Sequence, residues 1–208
     1  QEHLEVRLDV LRRSADGRLL ALTDAVRSRL DVEEDPRCLA QNLRCLAELE
    51  ESEAVDILGV FLDHDDDVVA EAATVGLLRS GGIDGVLVAG DRLLGLERSQ
   101  DASERERAAR ILGEVGTRGF YRHLLDLLWD PDVGVRRAAL TAAGKVGNPR
   151  LWPAAIDSLA HVEFHASAGR ALMEASSETI PALGEAMSNP DRYLLPRPRR
   201  RDVRPHRR

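Results

Sequence analysis

Aromatic residues make up only 3% of this chain of 208 residues, and just two cysteines occur. The first scarcity argues against a β-sandwich or barrel, whose strands draw on aromatic and β-branched side chains. The second leaves no disulfide framework and, with no Cys-x-x-Cys spacing, none of the zinc or redox motifs built on it. Cys38 and Cys45 are seven residues apart. On a helix they share a face about 10 Å apart, beyond the ~7 Å Cα separation that a disulfide spans. Reduced, packed thiols of this kind suit a cytosolic compartment. No run of about eighteen apolar residues exists that could span a bilayer. Gly-x-Ser-x-Gly, P-loop and dinucleotide fingerprints are missing, as is any His-Glu dipeptide. The chain opens on Gln1 with neither an initiator Met nor a signal-peptide pattern, which reads as a piece of a longer polypeptide.

What is present is apolar, acidic and periodic. Hydrophobic residues reach 43%, with Leu and Ala dominant, enough for a core of close-packed helices. The net charge is −7, unevenly divided. Residues 191–208 carry eight arginines against two aspartates, a net +6, so residues 1–190 stand at −13. The body repels nucleic acid, while the last segment attracts polyanions.

The stretch "DPDVGVRRAALTAAGKVGN" (residues 130–148) is a helix with its own punctuation. Asp130 or Asp132 can cap the first turn. Val135, Ala139, Ala142, Ala143 and Val146 form one stripe at helical period. Gly147 and Pro149 end it. A short amphipathic segment, "FYRHLLDLLW" (residues 120–129), precedes it. Related stretches align with it at shifts of 31, 66 and 97 residues: "ASERERAARILGEVG", "HDDDVVAEAATVGLLRSG" and "EDPRCLAQNLRCLAEL". Apolar segments at residues 19–30, 54–62 and 86–96 precede them. Downstream, "LWPAAIDSLA" and "TIPALGEAMS" align at Pro153 and Pro181, with residues 161–175 as the helix between them. A period near 30 residues with two helices per period predicts an all-α solenoid, because a lone helix pair cannot bury its own apolar stripe.

The Asp-Pro turn, the Val-Arg step, the Ala pair and the Gly-x-Val-Gly exit of residues 130–147 resemble the HEAT repeat. The likeness is strongest over residues 120–150, fair over 54–119 and 151–188, and weak before 54. The first unit lacks the Val-Arg pair and the fifth lacks Asp-Pro. The resemblance implies a right-handed superhelix of five two-helix units plus an incomplete sixth, over residues 1–190, followed by an Arg/Pro-rich tail, 191–208. It implies a non-catalytic scaffold that holds partner proteins on the surface lined by the second helices. Residues 120–187 also look like the soluble HEAT segments attached to bacterial transporters of the ADP/ATP-carrier type. That likeness implies a cytoplasmic accessory or regulatory domain as an alternative. A HEAT-type lyase or cofactor-attachment protein, such as the bilin lyases, is a third. The HEAT-built di-iron hydroxylases require His-Glu pairs, and HEAT-like DNA glycosylases require a basic groove; neither fits this chain.

Several clusters have both a functional and a packing reading. Arg105, Arg107 and Arg110 alternate with Glu104 and Glu106, which as a solvated face gives only helix pairs of about a few tenths of a kcal/mol each; alternatively Arg105, Arg136 and Arg137 start successive second helices and could form a short ladder facing an acidic peptide. Arg199, Arg200 and Arg201 lie in the tail, whose prolines Pro196, Pro198 and Pro205 oppose a closing helix. The tail reads as a disordered end or as a polybasic arm for lipid, nucleic acid or an acidic partner. His161 and His165 sit four apart without a third ligand, and the acidic run at 63–67 falls where an inter-helix turn needs caps. Phe120, Tyr121, Trp129 and Trp152 gather at a unit boundary, where they can fill a seam or form a hot spot. No cofactor, no metal and no specific nucleic acid are expected.

Overall fold

A computed structural model describes residues 2–17 and 19–189. All regular structure among them is helical, in line with the all-α expectation. They fall into two compact units, Gln1–Thr117 and Arg118–Arg208.

The first unit holds α1 (Glu2–Asp16), α2 (Thr23–Arg29), α3 (Pro36–Glu50), α4 (Val55–Gly59), α5 (Asp67–Ser80), α6 (Gly82–Arg98) and α7 (Ala102–Val115). Short 3₁₀ turns, Leu20–Leu22 and Glu51–Ala54, lead into α2 and α4. α3 packs against α5, and α5 against α7, so the second helices of successive pairs lie side by side. Their first helices, α2, α4 and α6, pack on α3, α5 and α7 respectively. The 15-residue α1 was not anticipated from the repeats; it packs on α3, extending the row of second helices by one.

The second unit follows the same rule. It holds α8 (Tyr121–Leu128), α9 (Val133–Val146), α10 (Trp152–Ser158), α11 (His165–Glu174) and α12 (Ile180–Ser188). α8 packs on α9, α10 on α11, and α9 on α11, while α10 meets both α8 and α12. The predicted stripe of α9 is buried throughout: Val135, Ala139, Ala142, Ala143 and Val146 all face the interior. Its small residues set the spacing to α11. A Cβ on Gly144 would sit 2.9 Å from the Ala171 Cα, closer than side chains tolerate.

Aspartates start the second helices. Asp35, Asp66, Asp101 and Asp132 each accept from the backbone N–H two residues on, Arg37, Val68, Ser103 and Gly134, at 2.8–2.9 Å. Each such cap contributes about 1 kcal/mol by satisfying a donor that the helix leaves unpaired. The two capping options of the 130–148 stretch resolve into a relay. Asp132 caps α9, and Asp130 accepts from the Asp132 N–H at 2.9 Å to hold the turn. α7 and α9 exit through Gly116 and Gly147, whose φ of 66° and 61° lie in the left-handed region. α11, which lacks the Asp-Pro turn, has no side-chain cap.

Cys38 and Cys45 are free thiols, fully buried on α3. Burial raises both thiol pKa values, that of Cys45 to about 11. Both are therefore protonated and inaccessible at neutral pH, and a thiol is a poor nucleophile in that state. A thiol-disulfide reagent such as Ellman's should find no reactive cysteine in the native chain and both in denaturant. Reaction of the native chain at the denatured rate would contradict the packing of α3.

Candidate functional site

The solvent side of the second helices in the first unit carries a shallow, charge-rimmed cleft. α3 contributes Arg44, Ala47 and Glu48, α5 contributes Val75, Gly76 and Arg79, and α7 contributes Glu114 to a shallow cleft of about 130 Å³. That volume is well below the ~300 Å³ at which ligand pockets begin. The cleft has an apolar floor, Ala47, Val75 and Gly76, and a charged rim. Arg44 donates to Glu114 at 2.9 Å, and Arg79 lies 3.2 Å from Glu48. Further along, Arg107 pairs with Glu71 at 2.7 Å and with Asp67 at 2.6 Å. Arg110 reaches Glu106 at 3.0 Å and Glu71 at 3.4 Å. Opposite charges thus bridge α3 to α5, α5 to α7 and α3 to α7.

The pairs differ in strength. The Arg107 and Glu71 side chains are 14% and 16% exposed, so their attraction is less screened than that of the half-exposed rim pairs. Arg107, Arg110, Glu106 and the 63–67 run were legible as charged positions in the sequence, but their partners across the helices were not. The signal was available in the repeat itself: Glu48 and Arg79 are 31 residues apart, one period, and the period makes them neighbours.

The sequence-predicted arginines occupy different settings. Arg105, on α7, donates through Nη1 to the carbonyls of Ser99 and Gln100 at 2.9 and 3.0 Å, bracing the α6–α7 turn. In the second unit, Arg137 is exposed and its Nε donates to the Glu163 carbonyl at 2.9 Å. Arg136 departs from the expected position just outside the apolar stripe. It is only 8% exposed, with its guanidinium carbon 3.8 Å from the centroid of the Phe164 ring and 6.0 Å from that of Trp129. Arg136 and Arg137 together clasp the turn that enters α11, one by its ring and one by its backbone. Arg199, Arg200 and Arg201, with the rest of the tail, lie outside the described residues.

The remaining clusters take local roles. In the 63–67 run, Asp66 caps α5, Asp67 pairs with Arg107, and Asp63 lies 3.3 Å from Arg92. His165 Nδ1 is 2.9 Å from the Leu159 carbonyl, and His161 Nε2 is 4.0 Å from Asp157. Among the described residues, no group of three or more His, Cys, Asp or Glu side chains is placed to hold a metal. Trp152 is buried, whereas the Tyr121 ring packs against Arg150, whose guanidinium carbon lies 4.9 Å from its centroid. Hydrogen bonding to Arg122, and then to Arg150, holds the Tyr121 hydroxyl pKa below its usual value.

The aspartate-started second helices, the left-handed glycine exits and the stacking of helix pairs describe an all-α array of repeated helix pairs. Residues 91–164 match HEAT repeats. The matched stretch takes in the second half of α6 together with α7, α8, α9 and α10, including the turns that Arg105 and Arg137 brace. No curated protein matches the chain. Among the described residues, no helix is long and apolar enough to cross a membrane.

Proposed function

We propose that the chain is a non-catalytic scaffold, an array of five HEAT-like helix pairs with an incomplete sixth, that binds partner proteins through the solvent face of its second helices. The supporting observation is the row α3, α5 and α7, whose exposed side carries charges of both signs bridging from helix to helix. Rim pairs such as Arg44–Glu114 and Arg79–Glu48 have side chains 31–55% exposed. Pairs this exposed contribute only about 0–1 kcal/mol. A partner can exchange them for intermolecular pairs at little cost, gaining register and orientation from the alternation of sign. Arg105 and Arg137 are further proposed contacts, with Arg136 setting the turn beside Arg137. Arg199, Arg200 and Arg201 are proposed contacts for polyanionic surfaces.

Site-specific photo-crosslinking in the native cell tests this reading. A photoreactive residue at Glu48, Arg79 or Arg110 should yield a discrete protein adduct, and one at the exposed Val162 should not. The captured protein, once purified, should bind the Arg44→Glu/Arg79→Glu double variant about tenfold or more weakly. Adducts no more frequent than at Val162, or an affinity untouched by the double reversal, would remove the second-helix face from consideration.

A further inference from the structure

The opposite side of the first unit carries a different surface, formed by α4 and α6. Ile83 and Leu87, one turn apart on α6, are 80% and 71% exposed, and Val60, at the end of α4, is 79% exposed. Leu94 continues the α6 line seven residues on and is half-buried. The two helices are in contact: a Cβ on Gly59 would touch Val88 at 3.7 Å. Asp84 and Asp91 lie together along one edge of this apolar line on α6, and Asp56 is exposed on α4. Among the described residues, no ion pair engages any of these three aspartates, whereas Asp63 nearby is held by Arg92. Residues 1–117 as a whole carry a net charge of −12.

Exposed apolar side chains and unneutralised carboxylates on one face restrict what can cover it. Nucleic acid and anionic lipid share the sign of the surface and are repelled. A second copy of the chain would bring Asp84 and Asp91 against an equally acidic face, a like-charge contact that disfavours self-association. A strand cannot add, because a helix side offers no free backbone donors or acceptors. A helix arrives with its own backbone satisfied, and the line from Ile83 to Leu94 runs about 16 Å along α6, three turns of such a partner.

We propose that the α4–α6 face of the first unit docks an amphipathic helix of another protein, its leucine-type face on Ile83, Leu87 and Val60 and its arginines or lysines on Asp84, Asp91 and Asp56. This site is separate from the second-helix face, and neither reading depends on the other.

The test uses the full chain and a fluorescein-labelled synthetic helix of about five turns, with leucines at i, i+4, i+7 and i+11 and arginines beside that stripe. A matched peptide with glutamates in place of the arginines is the control. Fluorescence anisotropy should show saturable binding of the basic peptide and none of the acidic one. Leu87→Gln should weaken binding about tenfold. Asp84→Asn/Asp91→Asn should weaken it about fivefold and flatten its salt dependence. Val162→Gln, at an exposed position in the other unit, should change nothing. Circular dichroism of each variant reports folding, which an exposed position such as Leu87 leaves intact. The proposal is overturned if the basic peptide does not bind, if both peptides bind alike, or if Leu87→Gln binds as the parent does. It is also overturned if sedimentation shows a dimer that Leu87→Gln converts to monomer, since a second copy would then be the occupant.

Discussion

Gly85→Ala is expected to destabilise the first unit by about 3 kcal/mol, although it adds a single methyl group. Gly85 lies in the first turn of α6, where the chain folds back on α5. A Cβ there would run into the Leu77 carbonyl oxygen, with the Leu77 carbonyl carbon at 3.0 Å and Cα at 3.4 Å. These are backbone atoms of α5. The same carbonyl accepts from the Gly81 N–H at 3.0 Å, so it cannot swing aside without undoing the end of that helix. Gly90→Ala and Gly95→Ala on the same helix should go the other way. A Cβ at either position meets no atom within 4 Å, and replacing glycine in a helix interior stabilises by about 0.5–1 kcal/mol. In the second unit, Gly144→Ala should again destabilise, by about 2 kcal/mol, because Ala171 backbone atoms lie at 2.9 and 3.2 Å from the added carbon. Urea unfolding followed by circular dichroism reads all four. A Gly85→Ala midpoint at or above that of Gly90→Ala would show that α6 does not approach α5 as closely as described.

The contrast among these glycines shows what the sequence makes legible. Gly147 could be assigned a role beforehand, because a helix exit is a local event announced by the Asn-Pro that follows. Gly85 could not, since the contact that excludes a side chain is made by Leu77, across a turn whose path is set by Gly81 and Gly82. The aspartate caps were legible for the same reason as Gly147: each acts on donors two or three residues away. The second helices were legible because their stripe recurs near every 30 residues. α1 escaped because residues 1–18 have no copy of the Asp-Pro turn, and its packing on α3 is what defines it. The charged pairs of the candidate surface escaped for a third reason. All but the i,i+4 pair Arg110–Glu106 join residues from different repeats, and a charge in a repeat has no visible partner until the period is used as a contact rule. Applied that way, the 31-residue offset places Arg79 beside Glu48 from the sequence alone. The apolar line on α6 needed the structure, because a first helix has one face toward its own pair and only burial shows which of its leucines is left outside.

Arg136 carries the other large expected effect. Arg136→Ala should lower the stability of the second unit by about 3 kcal/mol, against less than about 1 kcal/mol for Arg118→Ala. Both residues are arginines with a defined partner, but their surroundings differ. Arg118 reaches Glu178 at 2.7 Å with side chains 60% and 45% exposed, so water and salt screen the pair. Arg136 is buried against Phe164, where a cation over a ring is attracted by about 2 kcal/mol once desolvated. Arg136→Met keeps the stem and the buried area but loses the cation, and should recover part of the loss. A double-mutant cycle of Arg136→Met with Phe164→Leu isolates the contact, with an expected coupling of about 1–2 kcal/mol. That coupling should persist in molar salt, where the Debye length falls to about 3 Å, while the Arg118–Glu178 coupling should vanish. A coupling below about 0.3 kcal/mol would reduce Arg136 to a space-filler. Persistence in salt has a structural consequence. Phe164 precedes α11, which has no side-chain cap, so the buried guanidinium fixes the entry to that helix by packing on its flanking ring, not by accepting from its free N–H groups as the aspartates do for α5, α7 and α9.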